Sequence, residues 1–155
     1  LARCKSCEAV AFSTLHGYEA VAEVCLVLWQ EARKQKSRYT KSLAEHAQHA
    51  LSYLENFTSR FPVGRPSLIL LKARRAIVSD DIRKAGKFLD LAMTESRRVK
   101  IPYIEAQVVF ELSRFAGTPP HLRNHYRTTA QDLFWRMRSQ YFIDELAAAA
   151  KASRE

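Results

Sequence analysis

One helical pattern occurs three times in this chain of 155 residues, and it limits the folds that the chain can adopt. In each copy an alanine is followed by two further apolar residues, four and seven positions later. This spacing places three side chains on one narrow side of an α-helix, where the alanine lets a neighbouring helix approach closely. The copies begin 38 and 45 residues apart, a period typical of stacked helical hairpins. They consist of Ala47, Leu51 and Leu54; of Ala85, Leu89 and Ala92; and of Ala130, Phe134 and Met137.

The rest of the chain also favours helices. Only four glycines are present for the tight turns that many short strands would need, and the five prolines lie mostly near predicted helix starts. We expect His16-Gly17 to break the first helix from the second, Thr40 and Ser79-Asp80-Asp81 to act as caps, and Gly117 to end a helix. The apolar periodicity predicts about eight helices, at residues 1–15, 18–36, 40–57, 67–78, 79–98, 103–115, 121–140 and 141–151.

The predicted fold is therefore an all-α, right-handed solenoid of antiparallel helical hairpins. At 155 residues the chain has the size of one domain. Residues 1–36 would form the leading helices, 37–138 the central hairpins, and 141–153 a helix that caps the stack. Short links make neighbouring helices antiparallel, and a stack of such hairpins leaves a groove lined by the first helix of each. Pro102, Ala106 and Leu112 join the repeated residues as predicted packing positions.

The net charge of +9 favours contact with acidic proteins, nucleic acid or membrane surfaces. The basic residues are nevertheless spread along several helices, as they would be on outer faces exposed to water. We expect an electrostatic bias toward acidic segments or helices of partner proteins. The basic residues predicted to contact such partners are Lys36, Arg38, Lys41, Arg74, Arg75, Arg97 and Arg98.

The repeated pattern resembles the tetratricopeptide repeat (TPR). Ala85, Leu89 and Ala92 match the small and large positions of its second helix, and Pro102 stands where the family has a proline at the repeat boundary. Leu112-Ser113 is similar to its Leu-Gly pair. Two features depart from the family: the period exceeds the usual 34 residues or so, and its Trp and Tyr in the first helix are not obvious. The resemblance implies a protein-interaction module of an elongated, TPR-like kind.

A narrower resemblance covers about 67–150, and the residues that carry it include Leu71–Arg74, Asp80–Ala85, Ile101–Ala106, Glu111–Arg114 and Ala130–Phe134. The sequence there resembles the C-terminal repeat arrays of large signalling proteins. Those proteins place class III adenylate cyclase domains, or an ATPase module of the AAA or STAND type, ahead of the array. The soluble, bicarbonate-sensing adenylate cyclases belong to this group. It implies that catalysis lies outside this chain and that the array regulates or anchors it.

Neither catalytic nor cofactor-binding residues are predicted. The glycines cannot form GxxxxGK[ST] or GxGxxG, and GxSxG is absent. Cys4-x-x-Cys7 is at most half of a zinc site, and the pairs His46/His49 and His121/His125 lack a third ligand. We therefore expect no enzyme activity, no metal and no cofactor within this chain.

The expected function is that of a scaffold or regulatory region of a larger intracellular assembly. The chain begins at Leu1 rather than Met, which suggests a fragment, and three cysteines favour a reducing compartment. The longest apolar run, 18–29, is too short to cross a membrane. A cytoplasmic location follows, with a cytoskeletal or ciliary assembly as one setting. The alternative is a basic helical-repeat module that binds nucleic acid.

Overall fold

The computed structural model describes residues 14–152, and these residues form seven α-helices, one short 3₁₀ turn and no strand. The all-α prediction is confirmed. Seven of the predicted helices correspond to α1–α7, while the first one, at 1–15, lies outside the described residues apart from its end. The helices are α1 (Leu15–Lys34), α2 (Thr40–Arg60), α3 (Arg65–Val78), α4 (Ile82–Arg98), α5 (Pro102–Arg114), α6 (Pro120–Arg136) and α7 (Gln140–Ala152).

Consecutive helices form the most extensive packing pairs: α1 with α2, α3 with α4, and α5 with α6. Helix α3 lies at the centre, because it also contacts α1, α2 and α5. The described apolar core accordingly falls into three clusters that follow the chain. The first joins α1, α2 and α3, the second joins α3, α4 and α5, and the third joins α5, α6 and α7.

The predicted packing residues lie mostly at these helix contacts. Ala47, Ala85 and Ala130 are fully buried at 0% exposure, on α2, α4 and α6 respectively, where a larger side chain would separate the helices. Three further positions are less enclosed: Pro102 is exposed in the first turn of α5, while Leu112 and Met137 are partly buried. The remaining predicted packing residues are all buried: Leu51, Leu54, Leu89, Ala92, Ala106 and Phe134.

Four helices end in the same kind of turn, which the sequence does not reveal. The second residue beyond the end of α1, α3, α4 and α6 has a positive φ, although none of the four is a glycine. After α4, Lys100 has φ 56°, and the N–H groups of Lys100 and Ile101 donate to the carbonyls of Arg97 and Ser96. This is a Schellman-type end, which satisfies carbonyls that the helix leaves unpaired. The positive-φ residues are Lys36, Asp80, Lys100 and Arg138.

Three local predictions differ from the structure. No break occurs at His16-Gly17, because α1 begins at Leu15 and continues through both residues. A glycine inside a helix costs about 1 kcal/mol relative to alanine, less than the burial of Leu15 and the other buried α1 side chains contributes. Thr40 does not cap α2 with its side chain; its hydroxyl donates instead to the carbonyls of Ser37 (2.6 Å) and Ala32 (3.2 Å).

Gly117 does not end α5 either. That helix ends at Arg114, and Phe115 takes an extended conformation that turns its ring into the core. A Cβ atom on Gly117 would lie 2.5 Å from a carbon of the Phe115 ring. Gly117 therefore makes room for the ring rather than supplying a left-handed turn. Of the predicted acidic cap, Asp81 does cap α4, because its carboxylate accepts from the Lys84 N–H at 3.0 Å.

Candidate functional site: a groove along α1, α3 and α5

A groove runs between α1 and α5, with α3 as its floor. It consists of a wide part of about 690 Å³ and a narrow part of about 170 Å³, which share Glu23 and Arg74 in their linings. Tyr141 and Phe142 extend the wall of the wide part, so the start of α7 also takes part. We call this feature the α1–α3–α5 groove.

The three helices enter the groove from the same end. The narrow part is lined by His16, Ser67 and Tyr103, which lie in the first turns of α1, α3 and α5. The wide part is lined by residues from their last turns, such as Val78 and Arg114. The three helices therefore run in the same direction along the groove, and α2 and α4 return the chain between them.

Arg74 connects all three helices in the middle of the groove. Its guanidinium group donates from Nε to Oε1 of Glu111 on α5 at 2.8 Å, and from a terminal nitrogen to the carboxylate of Glu23 on α1. Arg114, one turn after Glu111, donates to both oxygens of the same carboxylate at 2.7 and 2.9 Å. Glu111 is 3% exposed at its side chain and Arg74 15%, so the central pair is shielded from water.

The charges in this cluster stabilise each other. Burial by itself would raise the pKa of Glu111, but the charges of Arg74 and Arg114 and their hydrogen bonds leave that pKa below its ordinary value. Burial would likewise lower the pKa of Arg74, and the carboxylates of Glu111 and Glu23 raise it instead. Both groups are thus held in their charged forms, and the cluster fixes the relative positions of α1, α3 and α5.

The surface of the groove is acidic and apolar, although the chain is basic. Among the described lining residues, five side chains are carboxylates and two are guanidinium groups. Val27 and Tyr141 reach into the wide part with 53% and 68% of their surface exposed. Its apolar lining can therefore contact a partner without unfolding of the chain. The carboxylates belong to Glu19, Glu23, Glu31, Asp80 and Glu111.

Tyr103 closes the narrow part from the side of α5. Burial raises the pKa of its hydroxyl, and the nearby carboxylates of Glu23 and Glu19 raise it further, against an opposing effect of Arg74. The hydroxyl therefore stays protonated and able to donate. On the opposite wall, Glu19 lies 3.0 Å from Nδ1 of His16. The narrow part is thus bordered by carboxylates and a phenol.

The basic residues predicted to contact partners do not share one surface. Arg74 is enclosed in the groove, and its charge is already paired within the chain. Arg97 and Arg98, at the end of α4, pair with Glu105 and Glu95, each at 2.8 Å. A separate group follows α1, where Arg38 lies 4.8 Å over the ring of Tyr39. This group consists of the exposed residues Lys36, Arg38 and Lys41.

Arg75 lies on another side of the molecule. It lines a cavity of about 410 Å³ between α2, α3 and α4, together with Lys72 and Lys84. Lys72 donates to Glu55 at 2.6 Å across that cavity. Arg74 and Arg75 are adjacent on α3 and lie about 100° apart around the helix. They line different cavities and therefore do not form one basic surface.

Sequence reasoning missed the two carboxylates that complete the groove, Glu23 and Glu111. A signal was present: each interrupts an apolar stretch, Glu23 within 18–29 and Glu111 between Phe110 and Leu112. A buried carboxylate such as Glu111, whose side chain is 3% exposed, needs a cation beside it, and the half-exposed Glu23 shares that cation. That cation is Arg74, which lies 51 and 37 residues away in sequence.

The histidine pairs noted in the sequence do not form a complete metal site within the described residues. His46 contacts the backbone carbonyl of Ser42 at 2.6 Å, and His121 and His125 are exposed. Within residues 14–152 no group of three or more His, Cys, Asp or Glu side chains has the arrangement to hold a metal ion. Cys4 and Cys7 lie outside that range, and Cys25 is buried.

Comparison with protein-family models, with curated proteins and with solved structures found no match to this chain. In the part of the chain that the structure describes, every helix is too short or too polar to cross a membrane.

Proposed function

We propose that this chain is a non-catalytic protein–protein interaction module whose binding surface is the α1–α3–α5 groove. The observation that supports this most strongly is the cluster of Arg74, Glu111 and Glu23, which ties the three groove helices together before any partner arrives. A surface that is already ordered loses little conformational entropy on binding. A groove between helices suits an extended peptide or a single helix from a partner.

The proposed architecture is the solenoid of antiparallel, TPR-like hairpins that the sequence pattern predicts. Three features support it: the pairing of α1 with α2, α3 with α4 and α5 with α6; the central position of α3; and the common direction of the groove helices. In such a stack the first helix of each hairpin lines one continuous surface. Helix α7 then takes the place of the next first helix, since Phe142 and Leu146 join the core of α5 and α6.

The setting that we propose is a larger intracellular assembly, in which the chain acts as a scaffold or regulatory region. The resemblance to repeat arrays of adenylate cyclase-type and ATPase-type signalling proteins supports this setting. A cytoplasmic site of action, including a cytoskeletal or ciliary assembly, is part of the same proposal. Catalysis would then belong to other domains.

The test is a crosslinking pull-down from a native lysate, repeated after nuclease treatment and at raised salt, with the chain and two variants as baits. Val27→Asp places a charge in the groove at an exposed position of α1. Leu91→Asp is the matched control, because Leu91 is exposed on α4 and lines none of the described cavities. Both variants should fold, which circular dichroism would verify.

We expect a discrete set of proteins that survives nuclease and salt, that is retained by Leu91→Asp and that is lost with Val27→Asp. Loss with both variants, or with neither, would place binding elsewhere. Loss of every protein after nuclease treatment would reject the interaction function in favour of nucleic acid.

The second candidate function is nucleic-acid binding. Its specific support is Arg83, Lys84 and Lys87, which lie exposed in the first two turns of α4. Cations at a helix N-terminus oppose the helix dipole, so helix stability does not explain them. Affinity for a single-stranded or double-stranded oligonucleotide should then fall steeply as salt rises, and the triple change of these residues to Gln should abolish it.

A further inference from the structure

The α1–α3–α5 groove has the opposite electrostatic character from the rest of the molecule. The whole chain contains 25 Lys and Arg against 16 Asp and Glu. The groove lining reverses that ratio, with five carboxylates against two arginines among the described residues. A basic protein with an acidic groove will attract cations to that groove and repel them elsewhere.

The two arginines of the lining are already paired with two of its carboxylates. Arg74 and Arg114 are both hydrogen-bonded to Glu111, and Arg74 also binds Glu23. In the wide part, Glu31 and Asp80 have cationic partners on the last turn of α1, Lys34 and Arg33.

Glu19 differs from the other four carboxylates of the lining. Among the described residues its ion-pair partner is His16, which offsets the charge only when it is protonated. The Glu19 side chain remains 21% exposed, at the border of the narrow part. Negative charge is therefore available at this end of the groove.

The dimensions of the two parts suit two kinds of side chain. A volume of about 170 Å³ is smaller than the pockets of about 300–1,000 Å³ that hold whole small molecules, so the narrow part fits a single side chain. There a cation would meet the carboxylates of Glu19 and Glu23 and the ring of Tyr103. The wide part instead offers Val27, Ile82 and Tyr141, which are exposed apolar groups.

We infer that the partner segment in this groove is a basic amphipathic one: a helix or extended peptide of another protein that places a lysine or arginine in the narrow part and apolar side chains in the wide part. This inference rests on the proposed function and reverses the bias toward acidic partners that the net charge suggests. Charge complementarity at Glu19 supplies the selectivity, and the apolar contacts supply most of the affinity.

The test uses two labelled amphipathic peptides of equal length and equal apolar content, one with lysines and one with glutamates on the polar face. Their dissociation constants for the whole chain would be measured by fluorescence anisotropy at low and at raised salt. We expect the lysine peptide to bind at least about tenfold more tightly than the glutamate peptide, although the chain itself is positive. Binding of the lysine peptide should weaken as salt rises.

Three variants locate the charge that matters. Glu19→Lys should weaken binding of the lysine peptide by about tenfold and strengthen binding of the glutamate peptide. Glu45→Lys, which makes the same change in net charge at an exposed site on α2, should alter neither by more than about twofold. Glu19→Gln only removes the charge, so its effect on binding of the lysine peptide should be smaller than that of Glu19→Lys and larger than that of Glu45→Lys. It remains informative if the Glu19→Lys variant does not fold.

Equal binding of both peptides, preference for the glutamate peptide, binding of neither, or an equal effect of Glu45→Lys and Glu19→Lys would each overturn the inference. A different result would contradict the proposed function, namely that the lysate proteins bind the Val27→Asp variant as well as the unchanged chain. If the chain binds the glutamate peptide and the Val27→Asp variant does not, the inference of a basic partner is refuted. The groove would then remain the proposed interaction surface.

Discussion

Arg74 on α3 and Glu111 on α5 form an ion pair of 2.8 Å that almost no water reaches, and Glu23 on α1 shares the same arginine. Two buried charges pay a desolvation cost that their attraction must offset, so such a pair contributes more to the definition of geometry than to net stability. Here the geometry that it defines is the spacing of the three helices that form the groove.

Glu111→Gln should destabilise the fold. The amide keeps the shape of the side chain but leaves Arg74 and Arg114 without their shared negative charge, and the Arg74 side chain is only 15% exposed. Loss of one partner of a buried pair costs about 3–5 kcal/mol, and the remaining Glu23 should hold the loss near about 3 kcal/mol. Urea unfolding would measure it. The double variant Arg74→Met, Glu111→Leu should recover most of this loss, and a double variant as unstable as the single one would contradict the account.

The stability should also depend on pH through Glu111. Its pKa is lowered in the folded state, mainly by Arg74 and Arg114 against the effect of burial. An unfolded glutamate titrates near pH 4.3 or so, so this contribution is fully present above about that pH and is lost as pH falls through the lower folded-state pKa.

The measurement is the free energy of unfolding between about pH 7 and pH 3. We expect a smaller fall with pH in Glu111→Gln than in the unchanged chain, because the titrating group is gone. Glu45→Gln, on an exposed part of α2, is the matched control and should keep the full slope. Parallel curves for all three proteins would show that Glu111 is not the group responsible.

Lys100→Gly should stabilise the chain. Lys100 has φ 56°, a conformation that costs an L-residue with a side chain roughly 1–2 kcal/mol and glycine almost nothing. Greater freedom of glycine in the unfolded chain cancels part of the gain, which leaves about 0.5–1 kcal/mol. Thermal unfolding would detect it. Lys87→Gly, inside α4, is the control and should instead lose about 1 kcal/mol.

Two adjacent aromatic residues of α6 should respond differently to truncation. Phe134 is 0% exposed and stacks on Phe142 of α7 at 4.5 Å between ring centroids, whereas Trp135 is 59% exposed. Phe134→Ala should cost about 3–5 kcal/mol, because a cavity remains in the third core cluster. Trp135→Ala should change stability by about 0.5 kcal/mol at most. Equal losses measured by urea unfolding would mean that Trp135 has a packing role that its exposure conceals.

The sequence by itself determined where the helices lie. Apolar residues at helical spacing can be buried only on a helix, so α1–α7 were predictable to within a few residues, and Pro102 marked the start of α5 because proline fits a first helical turn. The fully buried alanines at 47, 85 and 130 were predictable for the same reason, since their spacing to larger apolar residues is local.

Only the tertiary structure decided which charges meet. Arg74 pairs with residues 51 and 37 positions away, and no local pattern distinguishes it from Arg75, which lines a different cavity. The four left-handed turns were equally hidden, because Lys36 and Lys100 have a positive φ that lysine seldom adopts. Periodicity is a property of neighbouring residues, whereas the acidic groove depends on how α1, α3 and α5 are placed together.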